Sequence, residues 1–145
     1  MSLETELRAA GVIRWHIVET TRPQNLAEHQ FNVALIARRL AILSGMTRQE
    51  QDTLVAKALV HDQHEIADGD VPSTAKPERG LELDSTMRII QVADKIEAYW
   101  FIKNRHVDRP DVVHDTRARL SRLMDEASPD FAAIVTRVMA EMGAI

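Results

Sequence analysis

The sequence predicts an all-α fold, a single helical bundle with residues 1–145 as one domain. Three observations carry this. Apolar residues recur at helical spacing, while the alternation of half-buried strands is almost absent. Helix start and stop signals punctuate the chain repeatedly. A chain of 145 residues that is 45% apolar is long enough to bury a core and too apolar to be disordered.

The elements follow in order. Leu3 to Ala10 reads as a short amphipathic helical segment stopped by Gly11. The stretch VIRWHIVETTRPQN has no clean period and reads as an irregular, partly extended arm, with Pro23 biasing Arg22 away from helix. Asn25 suits an N-cap, with Glu28 three residues on. The helix LAEHQFNVALIARRLAILS follows, ends at Gly45, and carries Val33, Ile36, Leu40 and Leu43 on its apolar face. Thr47 and Glu50 form a capping-box pattern for a helix reaching about His61. ADGDVPSTAKPERG is rich in Gly, Pro and Ser and reads as a loop. A long helix spans Leu81 to Asn104. Pro110 and Asp111 open another, through about Ala127, and Ser128-Pro129 start a last one, DFAAIVTRVMAEMG. No internal repeat, low-complexity segment or linker interrupts this order.

Composition excludes several functions. Without cysteine there are no disulfides and no thiolate metal sites, so any metal must be held by His, Asp and Glu. A net charge of −4 argues against a broad nucleic-acid surface. No apolar run reaches membrane-spanning length, and MSLETELRAAG is too polar for a signal peptide. The expected setting is cytoplasmic, with neither nucleic acid nor membrane as partner.

Polar residues on apolar faces mark a candidate site. His29 lies on the same stripe as Val33 and Ile36, and Asp94 lies among Ile90, Val92, Ala93 and Ile96. A lone buried histidine is ordinarily satisfied by a carbonyl. A buried carboxylate is harder to dismiss, because removing an unpaired charge from water costs several kcal/mol or more. His61 and Asp62 are adjacent, so on a regular helix they diverge by about 100° and meet one ion only at a helix end. His29, His61, Asp62 and Asp94 come from three helices and would converge in a bundle core. Two imidazoles and two carboxylates suit Mn²⁺, Fe²⁺, Co²⁺, Ni²⁺ or Zn²⁺. HEIAD lacks the second histidine of a zincin motif, and DGDVPSTAKPER does not fit an EF-hand loop.

The ordered set His29, His61-Asp62 and Asp94 resembles the HD-domain superfamily of metal-dependent phosphohydrolases, and within it the 5′-deoxynucleotidase branch. The pattern is Arg14-Trp15, Glu28-His29, HDQHEIADGDVPSTAK and Ala93-Asp94, over about residues 11 to 100. RWHIV followed by TRPQNLAEH, with the short length, further resembles the compact phage dATP triphosphohydrolases. The resemblance implies the four metal ligands above, a deoxynucleotide substrate, Mg²⁺ accompanying a triphosphate, and a homo-oligomer, dimer or higher. The apolar stretch FAAIVTRVMAEMGAI would support such an interface.

Roles follow from the chemistry. Phosphate ester hydrolysis needs charge neutralisation at phosphoryl oxygens and a positioned water. Glu65 falls one helical turn beyond His61 and Asp62 and is the candidate general acid/base, with Asp62 the other catalytic candidate. Arg14 can fork to a phosphate, and Arg22 and Lys76 are further phosphate candidates. By resemblance, Asp70 would bond the sugar 3′-hydroxyl. In an extended arm Trp15 and Ile17 share one side and would sandwich a base, adenine by resemblance; the same pair would serve equally as core. His64, His106 and His114 read as surface residues.

The favoured function is hydrolysis of dATP to deoxyadenosine and triphosphate, extending to dADP and dAMP. The alternative is a general 5′-deoxynucleotidase acting on monophosphates, and a further one a non-catalytic nucleotide-binding module. Hydrolysis of cyclic nucleotides or guanosine alarmones fits the Arg14-Trp15 arm and Asp70 less well.

Overall fold

The computed structural model describes residues 1–71 and 75–145; the middle of the predicted loop, 72–74, lies outside the described residues. The chain is built almost wholly of helices: α1 (Leu3–Glu6), α2 (Leu26–Leu43), α3 (Arg48–Ala58), α4 (Glu65–Asp68), α5 (Ser85–Arg105), α6 (Pro110–Glu126) and α7 (Pro129–Glu141). A tight 3₁₀ turn, Leu7–Gly11, continues α1, which the sequence reading had merged into one helix.

Local chemistry explains the boundaries. Asn25 accepts from the Glu28 amide and starts α2. Gly45, at φ +78°, closes it: the Gly45 amide donates to the Ile42 carbonyl and the Met46 amide to that of Ala41. Thr47 and Glu50 complete a reciprocal capping box on α3. Asp84 caps α5 by accepting from the Met87 amide, so that helix starts four residues later than Leu81. The amides of Leu81 and Glu82 are instead held by Glu126 and Gln91.

The helix α2 is the central element, packed chiefly on α5 and α3, with α7 against its far part and α6 against α5. Its buried face carries Leu26, His29, Val33, Ile36, Ala37 and Leu40, while Leu43 is only half buried. Of these, Val33, Ile36, Ala37 and Leu40 meet Leu54, Ile90, Ile96, Leu120 and Val135 in the main core. A second cluster joins Trp15 and Val18 of the arm to Ala98, Phe101, Ile102 and Val112. The helix α7 turns Val135, Val138 and Met139 inward, so much of its apolar face serves the core.

The arm is irregular and partly extended, as its sequence suggests. Ile13–Arg14 (β1) and Gln24–Asn25 (β2) pair antiparallel, Ile13 opposite Asn25 and Arg14 opposite Gln24. Between them the chain turns at Trp15, which sits at φ +58° with its carbonyl accepting from the Val18 amide at 2.9 Å. The first extended stretch therefore ends at Arg14, and the chain is extended again at Gln24–Asn25.

Candidate metal centre

The helix α3 ends before the positions of interest. Past Ala58 the amides of Val60, His61 and Gln63 each bond three residues back, and the chain tightens before α4 begins at Glu65. In this turn His61 and Asp62 reach a common point, as neighbours on a regular helix do not. His29 arrives from the buried face of α2 and Asp94 from α5. One ligand atom from each of the four lies within 4.8 Å of the others. His29 Nε2 is 2.9 Å from Asp94 Oδ1 and 3.5 Å from Asp62 Oδ2; His61 Nε2 is 3.1 Å from Asp62 Oδ2 and 3.5 Å from Asp94 Oδ1.

The donor set fits a cation. Both Nε2 atoms are buried and lack a hydrogen-bond partner among the described residues, although carboxylate oxygens stand close by. Each imidazole is held from behind. His61 Nδ1 meets the Ala58 carbonyl at 2.7 Å, and His29 Nδ1 meets Glu97 Oε2 at 2.6 Å. With Nδ1–H donating outward, Nε2 presents its lone pair inward.

The electrostatics agree. Burial and Arg14 disfavour the charged form of His29, but Glu97, Asp62 and Asp94 outweigh them and push it up to about 10. His61 is pushed up to about 9, against its burial, by Asp62 and Asp94. Burial alone would raise both aspartates. Instead the two histidines hold Asp62 well below the usual carboxylate range, and Lys95 with the same histidines does so for Asp94. Protons thus do, in the cation-free cluster, what a divalent cation would do with the histidines neutral.

Glu65 opens α4 with its side chain almost wholly buried. Burial first, and then Asp62, raises its pKa, against Lys76 and Arg14. Lys76 Nζ donates to Glu65 Oε1 at 3.1 Å. Arg14 Nη1 lies 3.9 Å from Asp62, 4.0 Å from Glu65 and 3.6 Å from Asp70. His16 Nδ1 is 3.7 Å from Asp70 Oδ2. The fold therefore gathers Arg14, Glu65, Asp70 and Lys76 around the four-donor cluster.

Three other expected site residues are placed differently. The Trp15 ring is buried and stacks on Phe101, centroids 6.4 Å apart and planes 14° apart. Ile17 is 58% exposed. The turn at Trp15 separates the pair that an extended arm would have put on one side. Arg22 forks onto Glu28 at 2.6 and 3.0 Å and lies over the Phe101 ring, so its charge is already engaged. His64 and His114 are exposed as expected; His106 is half buried, its Nδ1 accepting from the Arg109 amide at 3.0 Å.

Sequence reasoning missed Glu97, Gln24 and Lys95. Glu97 is fully buried one turn beyond Asp94, and a second acid inside an apolar helical run was the available signal. Lys95 Nζ lies 3.4 Å from Asp94 Oδ2. Gln24 carries no recognisable signal of its own. Outside the cluster opens a cleft of about 630 Å³, walled by Lys76, Lys95, Arg79, Arg119 and Arg122, with Glu78 and Glu126 among them.

The model of the 5′-deoxynucleotidase YfbR-like family matches residues 5–82. The chain is 43% identical over 77 residues to the dATP triphosphohydrolase of Cyanophage S-2L, a match covering 53% of this chain and 44% of that protein. It is 29% identical over 153 residues to the dATP triphosphohydrolase of Salmonella phage PMBT28, covering 85% and 78%. The fold superposes on the Cyanophage S-2L HD phosphohydrolase DatZ, solved with dA and one catalytic Zn²⁺, at a TM-score of 0.86 and 24% identity over 100% of this chain and 98% of that one. The first of these sequence matches thus spans less than half of the relative's length.

Proposed function

The chain belongs to the 5′-deoxynucleotidase YfbR-like family of HD phosphohydrolases, and on that premise we propose that it is a metal-dependent hydrolase converting dATP to deoxyadenosine and triphosphate, with dADP and dAMP as lesser substrates. One observation carries the reading: four His and Asp donors converge beside a buried glutamate and a buried arginine.

His29, His61, Asp62 and Asp94 would hold the ion. Zn²⁺ occupies the cyanophage neighbour, and Mn²⁺, Fe²⁺, Co²⁺ and Ni²⁺ suit the same donors. When bound, such an ion neutralises phosphoryl charge and makes a water more acidic. The rest falls to side chains. Arg14, already within 4.0 Å of Asp62, Glu65 and Asp70, binds the α-phosphate. Glu65 takes a proton from the water that attacks the α-phosphorus and returns it to the 5′-oxygen as the bond from phosphorus to that oxygen breaks. Asp70 accepts from the sugar 3′-hydroxyl. Ile17 is the apolar arm residue offered to a base, while Trp15 anchors the turn that presents it.

Triphosphate length is supported by the basic wall of the cleft, where Lys76, Lys95 and Arg79 would meet the β- and γ-phosphates with Mg²⁺. Arg22 would join them only by leaving Glu28. A monophosphate-specific 5′-deoxynucleotidase is the second reading. Arg122 is already paired with Glu78, and Glu126 adds further negative charge to the same wall. Residues 1–145 would act as one HD domain. Exposed Phe31 and Leu35 on α2 support assembly into a homo-oligomer. No helix among the described residues is long and apolar enough to cross a membrane, and a cytoplasmic site of action fits a deoxynucleotide substrate.

The test is product analysis with purified protein, Co²⁺ or Mn²⁺, and panels of dNTPs, dNMPs and rNTPs. Deoxyadenosine plus triphosphate from dATP is the expected result. Phosphate release from several dNMPs with dNTPs untouched would establish the second reading. Absence of turnover with every metal would overturn both and leave a nucleotide-binding module.

A further inference from the structure

Two glutamates are almost fully buried among the described residues, and the chemistry above uses only Glu65. Glu97 sits at the centre of a polar chain running from the arm to His29. Arg14 Nε–H and Trp15 Nε1–H can only donate. Both point at Gln24 Oε1, at 3.2 and 3.1 Å. That orients the Gln24 amide and leaves its Nε2 to donate to Glu97 Oε1 at 2.5 Å. Asn32 Nδ2 adds a second donor to the same oxygen at 3.3 Å. The other oxygen, Oε2, faces His29 Nδ1 at 2.6 Å. A carboxylate only accepts, so in the neutral imidazole the proton belongs on Nδ1 and the lone pair on Nε2, on the side of Asp62 and Asp94.

We propose that Gln24 and Glu97 are positioning residues through which Arg14 and Trp15 fix the tautomer and orientation of His29, so that the substrate arm and the metal-binding imidazole form one unit. The proposal rests on the metal-centre reading above. Its physical basis is directionality. Two donor-only groups at one end leave a single arrangement of hydrogen bonds along the chain, and every member is buried, where a donor facing a donor is costly. Trp15 and Gln24 would therefore tune metal binding although neither belongs to the four-donor cluster.

The experiment measures Zn²⁺ affinity by competition with a chelating dye and the visible absorption of the Co²⁺ form. In Glu97→Gln, an amide NH₂ must face either the Gln24 amide or His29 Nδ1–H, whichever way the group turns. Affinity should fall by about 10–100-fold, with a shifted Co²⁺ band. Trp15→Phe keeps an aromatic ring at that position but removes the Nε1–H donor, and should weaken affinity by about 2–10-fold. In the double variant Gln24→Glu with Glu97→Gln, Glu at position 24 accepts from Arg14, Trp15 and the new amide, whose oxygen then accepts from His29. Every hydrogen bond from Arg14 and Trp15 to His29 is restored, with only that of Asn32 lost, and most of the lost affinity should return.

A purely structural role would lower the melting temperature without moving the Co²⁺ band. A folded Glu97→Gln protein with parental affinity and spectrum overturns the proposal, as does a double variant no tighter than the single one. If Glu97→Gln fails to fold, unchanged affinity in Trp15→Phe overturns it. A parent protein that binds neither ion defeats the metal-centre reading and this proposal with it, whereas a parent that binds while the variants match it defeats this proposal alone.

Discussion

Lys76 Nζ donates to Oε1 of Glu65, a carboxyl with 1% of its surface exposed. The pair joins a cleft-wall cation to the group proposed to move the proton. Burial and Asp62 raise the Glu65 pKa while Lys76 and Arg14 oppose the rise. A general base works deprotonated, so activity falls as pH drops through its pKa, and the raised value moves that acidic limb above the ordinary glutamate range. Lys76→Met removes an opposing cation and should move the limb higher still in a pH profile of kcat/KM. Glu65→Gln should cost about 10²–10⁴-fold in kcat with bound metal unchanged.

Metal uptake should release protons. His29 and His61, raised to about 10 and 9, are protonated near neutral pH in the metal-free protein and must lose those protons to coordinate. Apparent affinity should therefore climb as pH rises from 6 towards 9. Titration calorimetry of Zn²⁺ binding in buffers of different ionisation enthalpy counts the protons, and two are expected. Asp94→Asn should abolish stoichiometric binding, read directly by metal analysis after dialysis.

The two arm residues should separate by phenotype. Ile17→Ala removes an exposed apolar contact and should raise KM for dATP several-fold with kcat and melting temperature little changed. Trp15→Ala opens a cavity against Phe101 and Val18 and should destabilise the fold by about 3–5 kcal/mol, measured by denaturant unfolding.

Away from the site, Thr47→Ala dismantles the α3 capping box and should cost about 1 kcal/mol. The same unfolding assay should show Gly45→Ala costing about 1–2 kcal/mol, because φ +78° suits glycine and strains any residue with a Cβ.

What the sequence reveals here is what short-range chemistry encodes. Asn25, Thr47 with Glu50, and Ser128-Pro129 mark their helix starts because side chain and backbone partner lie within three residues. His29 and Asp94 stand out because charge on an apolar stripe needs an explanation, and the fold gathers both with His61 and Asp62. The turn at Trp15 is invisible in sequence, since a positive φ is expected of glycine, not of an aromatic residue. The late start of α5 depends on Glu126 and Gln91 claiming the preceding amides, the former from a different helix. Gln24 acquires its role only from Arg14, Trp15 and Glu97 meeting around it, and no local pattern announces a partner so far along the chain.

The four-donor cluster also has a history within each molecule's synthesis. Its members are contributed by α2, the turn after α3, and α5, and the last of them leaves the ribosome well after the first. A nascent chain that has emerged only through the turn after α3 holds two imidazoles and one carboxylate of the cluster with no α5 to pack α2 against, and Glu97 has yet to appear behind His29. Such a fragment would compete poorly with cellular chelators for scarce transition metals. Loading should then be a post-translational event, set by the metal available to the finished fold, and the ion recovered with the purified protein would record the growth medium of the expression host.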